Sequence, residues 1–208
     1  MADAVITEVD GGIAVITINR PEARNAVNGE VARGIATAVE ELDGSNDIRV
    51  LILTGAGGYF SAGMDLKGFL TGDSPLAEGR GFAGIVERPP VKPVIAAVEG
   101  YALAGGFEIA LTGEHFSAER LHQAGLISRL VGAGQALAGA RELAATVAQG
   151  APLALAATKR VIVESPDWPS DEAFARQGEV INPVFTSADA MEGAAAFAEK
   201  RPPVWRGQ

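Results

Sequence analysis

Two short apolar runs, each ending in a glycine-containing turn, constrain the fold of this chain most. Val50-Leu51-Ile52-Leu53-Thr54 and Val94-Ile95-Ala96-Ala97-Val98 have the length and composition of strands covered on both faces, so the rest of the chain must supply helices for two sides of a sheet. The first run leads into Tyr59-Phe60-Ser61-Ala62-Gly63-Met64-Asp65-Leu66 and the second into Gly100-Tyr101-Ala102-Leu103-Ala104-Gly105-Gly106-Phe107-Glu108. Gly63 permits a positive φ, which lets the Met64 N–H point outward beyond the strand end. Gly105 and Gly106, at the start of an expected helix, leave their N–H groups unshielded. Together the turns can aim two backbone donors and one carboxylate at a single point, the arrangement required where a carbonyl oxygen becomes negative during reaction. A helix starting at the second turn adds its positive dipole end, and Glu108 lies one turn along the face of Gly105. A glycine turn after a strand is ordinarily only a connection, and Asp65 also reads as an N-cap. The pairing of the turns is what favours a site.

Around these units the expected elements fall in order. Ala4 to Val9 and Ile13 to Asn19 flank Asp10-Gly11-Gly12, a hairpin pattern that Arg20-Pro21 ends. Val31, Ile35, Val39 and Leu42 recur at helical spacing between Asn28 and Leu42. Lys67 to Arg88 lacks periodicity and is expected to include a mobile loop. Further on, Ser117 can cap a helix that Gly125 ends, and Leu126 to Val131 reads as one more strand. Helices are expected over Gln135 to Gln149, Leu153 to Val163, Asp171 to Gly178, and Ala188 to Lys200 capped by Ser187. This divides the chain into an α/β part, residues 1–111, and a mainly helical part, residues 112–208.

Composition narrows the function. Forty-eight per cent hydrophobic and 21% charged residues are globular usage, and a net charge of -9 with no basic stretch argues against a nucleic-acid binder. The absence of cysteine excludes a thiolate nucleophile and a Cys-based zinc site, and nothing requires a metal. The N-terminal segment has no secretory pattern, and no apolar run is long enough to span a bilayer, so a soluble cytoplasmic protein is expected. His115 and His122 lie outside the special turns, and no serine sits in a G-x-S-x-G elbow, which weakens a hydrolase reading. Gly55-Ala56-Gly57-Gly58 lacks the Gly-Lys-Ser/Thr of a phosphate loop.

YFSAGMDLKGFL and PVIAAVEGYALAGGFEIAL resemble the two signature segments of the enoyl-CoA hydratase/isomerase, or crotonase, superfamily. Asn19 to Ala26, Thr112-Gly113-Glu114 through Gly125-Leu126, and Phe197 to Pro202 are similar to further segments of that family, in its order. The resemblance implies a crotonase-like spiral of stacked ββα units followed by a C-terminal helical region that builds trimers, often paired into hexamers. It implies an acyl-CoA enzyme of fatty-acid and lipid metabolism, with the thioester carbonyl held by the N–H groups of Met64 and Gly105. Glu108 matches a catalytic glutamate that deprotonates the water adding to trans-2-enoyl-CoA. Ala26, Ala62, Met64, Asp65, Leu66 and Lys67 match the walls of the CoA site, and Lys200 matches a lysine that reaches CoA phosphate from a neighbouring subunit. Its alternative is a solvated surface lysine. No separate cofactor is implied, coenzyme A being part of the substrate.

The chain departs from the family after Glu108. Relatives continue into another strand, a Pro-Glu pair carrying a second catalytic glutamate and further helix before a segment like Thr112-Gly113-Glu114; here the two pieces abut, and several tens of residues are missing. Pro21-Glu22 belongs to another motif, and Glu114 would face away from Glu108 on a continuous helix. Deleting a core unit exposes strand edges, which favours a sequence shortened by omission and predicts a chain break between about Glu108 and Glu114, beyond the ~3.8 Å of a trans peptide. Hydration of enoyl-CoA is the leading reading. Isomerisation, decarboxylation and thioester hydrolysis on the same fold remain open, as does binding of a CoA ester without catalysis if the segment is truly absent.

Overall fold

The computed structural model describes residues 3–102 and 116–208. The expected hairpin forms as β1 (Val5–Asp10) and β2 (Ile13–Ile18), paired antiparallel with Val5 opposite Ile18. From β2 the chain crosses through α1 (Gly29–Gly44) to β3 (Val50–Gly55), which runs parallel to β2 with Ile13 opposite Val50. α1 starts where expected because the Asn28 side chain accepts from the Val31 N–H, satisfying one of the donors a helix leaves open at its first turn. A short β6 (Val94–Ala96) adds in parallel to β3 and completes the order β1-β2-β3-β6.

Period-two alternation along the central strands explains how both faces of the sheet become buried. Ala14, Ile16, Ile18 and Leu51 pack with Val31, Ile35, Val39 and Leu42 of α1. The intervening Val15, Val50 and Ile52 turn to the opposite face and meet Ala140, Ala144 and Ala148. Two of those alanines lie in α4 (Ala136–Val147), so a helix from the C-terminal half closes the core of the N-terminal sheet, its small side chains allowing close approach.

Several expectations need correction. The segment from Lys67 to Arg88 holds short elements that its lack of periodicity did not suggest: α2 (Leu66–Leu70) is followed by the two-stranded ribbon of β4 (Leu76–Ala77) and β5 (Gly81–Phe82), and the Arg80 guanidinium is buried, donating to Glu40 and to the Arg88 carbonyl. β6 is shorter than expected, with Val94 and Ile95 half-buried and Ala96 exposed; among the described residues β3 is its single strand neighbour. No strand forms over Leu126 to Val131; α3 (Ala118–Gln123), capped by Ser117, leads instead into an irregular segment where Leu126 is largely exposed. Among the described residues no strand lies beside it to pair with.

The remaining helices are α5 (Pro152–Glu164), α6 (Ala173–Phe185) and α7 (Ala188–Glu199), the last capped by Ser187 as expected. α6 runs past Gly178 through Pro183 and ends shortly after that residue, which has no N–H to continue the ladder. Lys159 of α5 donates to the carbonyls of Pro90 and Lys92, fastening this helix to the segment that enters β6. Lys92 in turn donates to the Leu42 and Ser45 carbonyls at the end of α1, where a cation complements the helix dipole. Burial pushes both ammonium groups below the usual lysine range, with Asp43 acting in the opposite sense.

Candidate functional site

The loop between β3 and α2 is built around two polar residues hidden from solvent. Asn25 is fully buried with φ 55°, a left-handed conformation that asparagine tolerates better than most residues. Its Oδ1 accepts from the Arg20 N–H at 3.0 Å, and its Nδ2 donates to the carbonyls of Ala56 at 2.8 Å and Tyr59 at 2.7 Å. Ser61, 2% exposed, donates through Oγ to the Asn25 carbonyl at 2.9 Å and accepts from the Gly63 N–H at 3.1 Å. Gly63 has φ 85°, the positive value expected of it.

Backbone bonds then draw three stretches of chain together. The Ala62 N–H donates to Arg24, the Val27 N–H to Gly63 and the Asp65 N–H to Val27, forming a parallel bridge between Val27 and Met64. In such a bridge the residues either side of Met64 make the bonds, so the Met64 N–H itself points away from Val27. Among the described residues it has no acceptor. The second special turn begins beside the first: Phe60 N–H donates to Glu99, Ser61 N–H donates to Tyr101, and Ser61 bridges Ala102. The rings of Tyr59 and Tyr101 stack with centroids 6.1 Å apart across this junction.

Arg20 ties the outer side of the loop. It donates to the Ala26 carbonyl at 2.6 Å and to Asp65 Oδ2 at 3.0 Å. Asp65 also accepts from the Gly68 N–H as the N-cap of α2, and that bond, with Arg20 beside it, holds the carboxyl below the usual aspartate range against the opposing effect of burial.

The structure therefore brings Ala26, Ala62, Met64 and Asp65 into one loop cluster, with Ala26 buried and the other three half-buried. Leu66 and Lys67 open α2 and are exposed. Lys200 is exposed at the C-cap of α7, and none of its described hydrogen bonds reaches this loop. Gly105, Gly106 and Glu108 lie outside the described residues, as does the expected break before Glu114. Among the described residues no three His, Asp or Glu side chains gather as a metal-binding group, and no helix is long and apolar enough to cross a membrane. Arg20, Asn25 and Ser61 have framework roles that sequence spacing did not reveal. The available signal was an asparagine in the turn between Pro21 and the α1 stripe, at a place that asks for a left-handed residue.

Comparison with known proteins agrees with this architecture. The family profile for enoyl-CoA hydratase/isomerase matches residues 8–112 and 107–208. The crystal structure of a probable enoyl-CoA hydratase/isomerase from Mycobacterium abscessus superposes with a TM-score of 0.95 at 48% identity, covering 100% of both chains. Enoyl-CoA hydratase EchA19 from Mycobacterium tuberculosis is 37% identical over 254 residues, covering 97% of this chain and 95% of the relative. Carnitinyl-CoA dehydratase from Salmonella enteritidis is 34% identical over 262 residues, with 100% of both covered. Both alignments are longer than the 208 residues of the chain, so several tens of positions in those relatives face no residue of it. The two profile matches meet at 107–112, where the sequence reading places the missing unit. On the strength of its two signature turns, its mixed α/β architecture and these full-length matches, the chain belongs to the enoyl-CoA hydratase/isomerase family.

Proposed function

We propose that this protein hydrates trans-2-enoyl-CoA to 3-hydroxyacyl-CoA. The observation that carries the reading is the Met64 N–H, held in the loop between β3 and α2 with its neighbouring donors engaged and its own directed away from the Val27 bridge. With the Gly105 N–H it forms the oxyanion hole for the thioester carbonyl. Glu108 takes a proton from water as the water oxygen bonds Cβ; the C=C electron pair shifts toward the thioester oxygen, where the two donors stabilise the enolate-like charge. Collapse of that charge requires a proton at Cα. That proton comes from a second acid, whose place in the family is the segment missing after Glu108; Glu108 takes one proton from water and the second acid gives one to Cα, and a proton exchanged between the two carboxyls through solvent completes the addition of one water. The names of the relatives, a hydratase and a dehydratase, support chemistry of this reversible kind. Ala26, Ala62, Asp65, Leu66 and Lys67 line the CoA path, and Lys200 reaches a CoA phosphate across a subunit boundary. Exposed Phe174, Phe185, Met191 and Phe197 on α6 and α7 support a trimer or hexamer built through the helical half, residues 112–208.

Crotonyl-CoA hydration by the intact protein and by Glu108→Gln tests the reading. Turnover falling by about 10²–10⁴-fold in the variant is expected; equal turnover removes Glu108 from the mechanism. The length difference from the relatives favours a second reading, a CoA-ester binder without catalysis. Calorimetric acyl-CoA binding with no turnover by the unaltered protein is the result that reading requires.

A further inference from the structure

Every described backbone donor from Phe60 to Asp65 except that of Met64 has a partner: Phe60 to Glu99, Ser61 to Tyr101, Ala62 to Arg24, Gly63 to the Ser61 hydroxyl and Asp65 to Val27. The only side-chain acceptor in that set is Ser61 Oγ. It takes the N–H of the residue immediately before Met64, and that residue is a glycine in the left-handed region, a conformation with little steric restraint of its own. Ser61 is in turn held by the carbonyl of Asn25, whose side chain is fully partnered by Arg20, Ala56 and Tyr59. Both residues are buried, Ser61 at 2% exposure and Asn25 at 0%, and a buried polar network with each group satisfied gives its surroundings one fixed geometry.

We propose that Ser61, supported by Asn25, is a positioning residue that fixes the direction of the Met64 N–H toward a thioester oxygen. Removing the hydroxyl leaves the Gly63 N–H without its acceptor and the Asn25 carbonyl without its donor. The peptide before Gly63 is then released, and the Gly63–Met64 peptide, held on its carbonyl by the Val27 N–H alone, can tilt about that bond, so the donor loses its aim. The inference rests on the reading of Met64 as an oxyanion donor, and its test separates the two.

The test measures difference infrared spectra of an enoyl-CoA carrying a carbon-13 thioester carbonyl, bound to the unaltered protein, Ser61→Ala and Ser61→Cys, together with kcat, KM and calorimetric Kd. A polarised carbonyl in the unaltered protein is expected as a lowered stretching frequency. In Ser61→Ala the shift is lost and kcat falls by about tenfold to a hundredfold, the scale of a catalytic group misplaced by an ångström, while Kd and KM stay within about twofold. Ser61→Cys, near-isosteric with a weak S–H donor, gives an intermediate shift and an intermediate kcat. Should the alanine variant fail to fold, the cysteine variant carries the same criteria. A shift unchanged from the unaltered protein in whichever variant folds overturns the positioning role, even if kcat falls. No polarisation in the unaltered protein overturns the oxyanion reading of Met64 and the positioning role with it.

Discussion

Gly55→Ala is the sharpest perturbation of the loop that carries the candidate donor. Gly55 closes β3 with φ -123° and ψ 144°, an extended conformation open to any residue, so the substitution adds no backbone strain. Its effect comes from space. A Cβ there would lie 2.1 Å from the Tyr59 carbonyl oxygen, 2.3 Å from that of Phe60 and 2.6 Å from Asn25 Nδ2. Two of these atoms are backbone and cannot swing aside, and reaching ordinary contact requires the 59–60 segment to retreat by roughly an ångström. Crowding of this kind costs about 1–3 kcal/mol, and loss of the Asn25 bond to Tyr59 adds about 1 kcal/mol. The expected destabilisation is about 2–4 kcal/mol, or a fall in Tm of about 5–15 °C for a chain this long. Because the displaced segment leads into Ser61, Gly63 and Met64, kcat should also fall, by about 10²-fold if the donor moves an ångström. Urea unfolding followed by circular dichroism, with crotonyl-CoA hydration on the folded variant, reads both effects. Gly44→Ala is the control: it ends α1 with no atom near its added Cβ and should be neutral or stabilising by up to about 1 kcal/mol. A Gly55→Ala protein within about 0.5 kcal/mol of the unaltered one, with equal kcat, would refute the packing argument.

Two further outcomes follow from the same contacts. Asp65→Asn keeps an oxygen for the Gly68 N–H but loses the ion pair with Arg20, for an expected cost of about 2 kcal/mol at neutral pH. Because the folded carboxyl is held below its ordinary value, this contribution is complete above about pH 5 and fades as pH falls through the depressed folded pKa, so unfolding curves of the two proteins should converge only in acid. Ile35→Ala opens a void in the α1 face of the core, where Ile35 is fully buried, and should lower stability by about 2–5 kcal/mol.

The hairpin, α1 and β3 were legible because their signals are local. Alternating β-branched residues around Asp10-Gly11-Gly12, the Val31-Ile35-Val39-Leu42 stripe and the apolar run from Val50 each determine an element without reference to distant chain. The left-handed Gly63 belongs to the same class: a glycine between a strand and a capping aspartate has few other uses. Leu126 to Val131 shows the limit, since its residues suit a strand as well as those of β6 do, and a strand exists only where another lies beside it.

By itself the sequence determined that a buried strand ends in a turn able to present a backbone donor, and that the chain carries the two signature segments of its family. Tertiary structure decided what holds the donor in place. Arg20, Asn25 and Ser61 are polar residues without a period, and their bonds to the Asp65 carboxylate, the Tyr59 carbonyl and the Asn25 carbonyl exist only because folding brings Arg20–Val27 against Ala56–Asp65. It also decided that α4, far along the chain, completes the core of the N-terminal sheet. Hydrophobic periodicity records which face of an element seeks burial, but not which element will cover it, and a hydrogen bond between residues distant in sequence leaves no periodic trace at all.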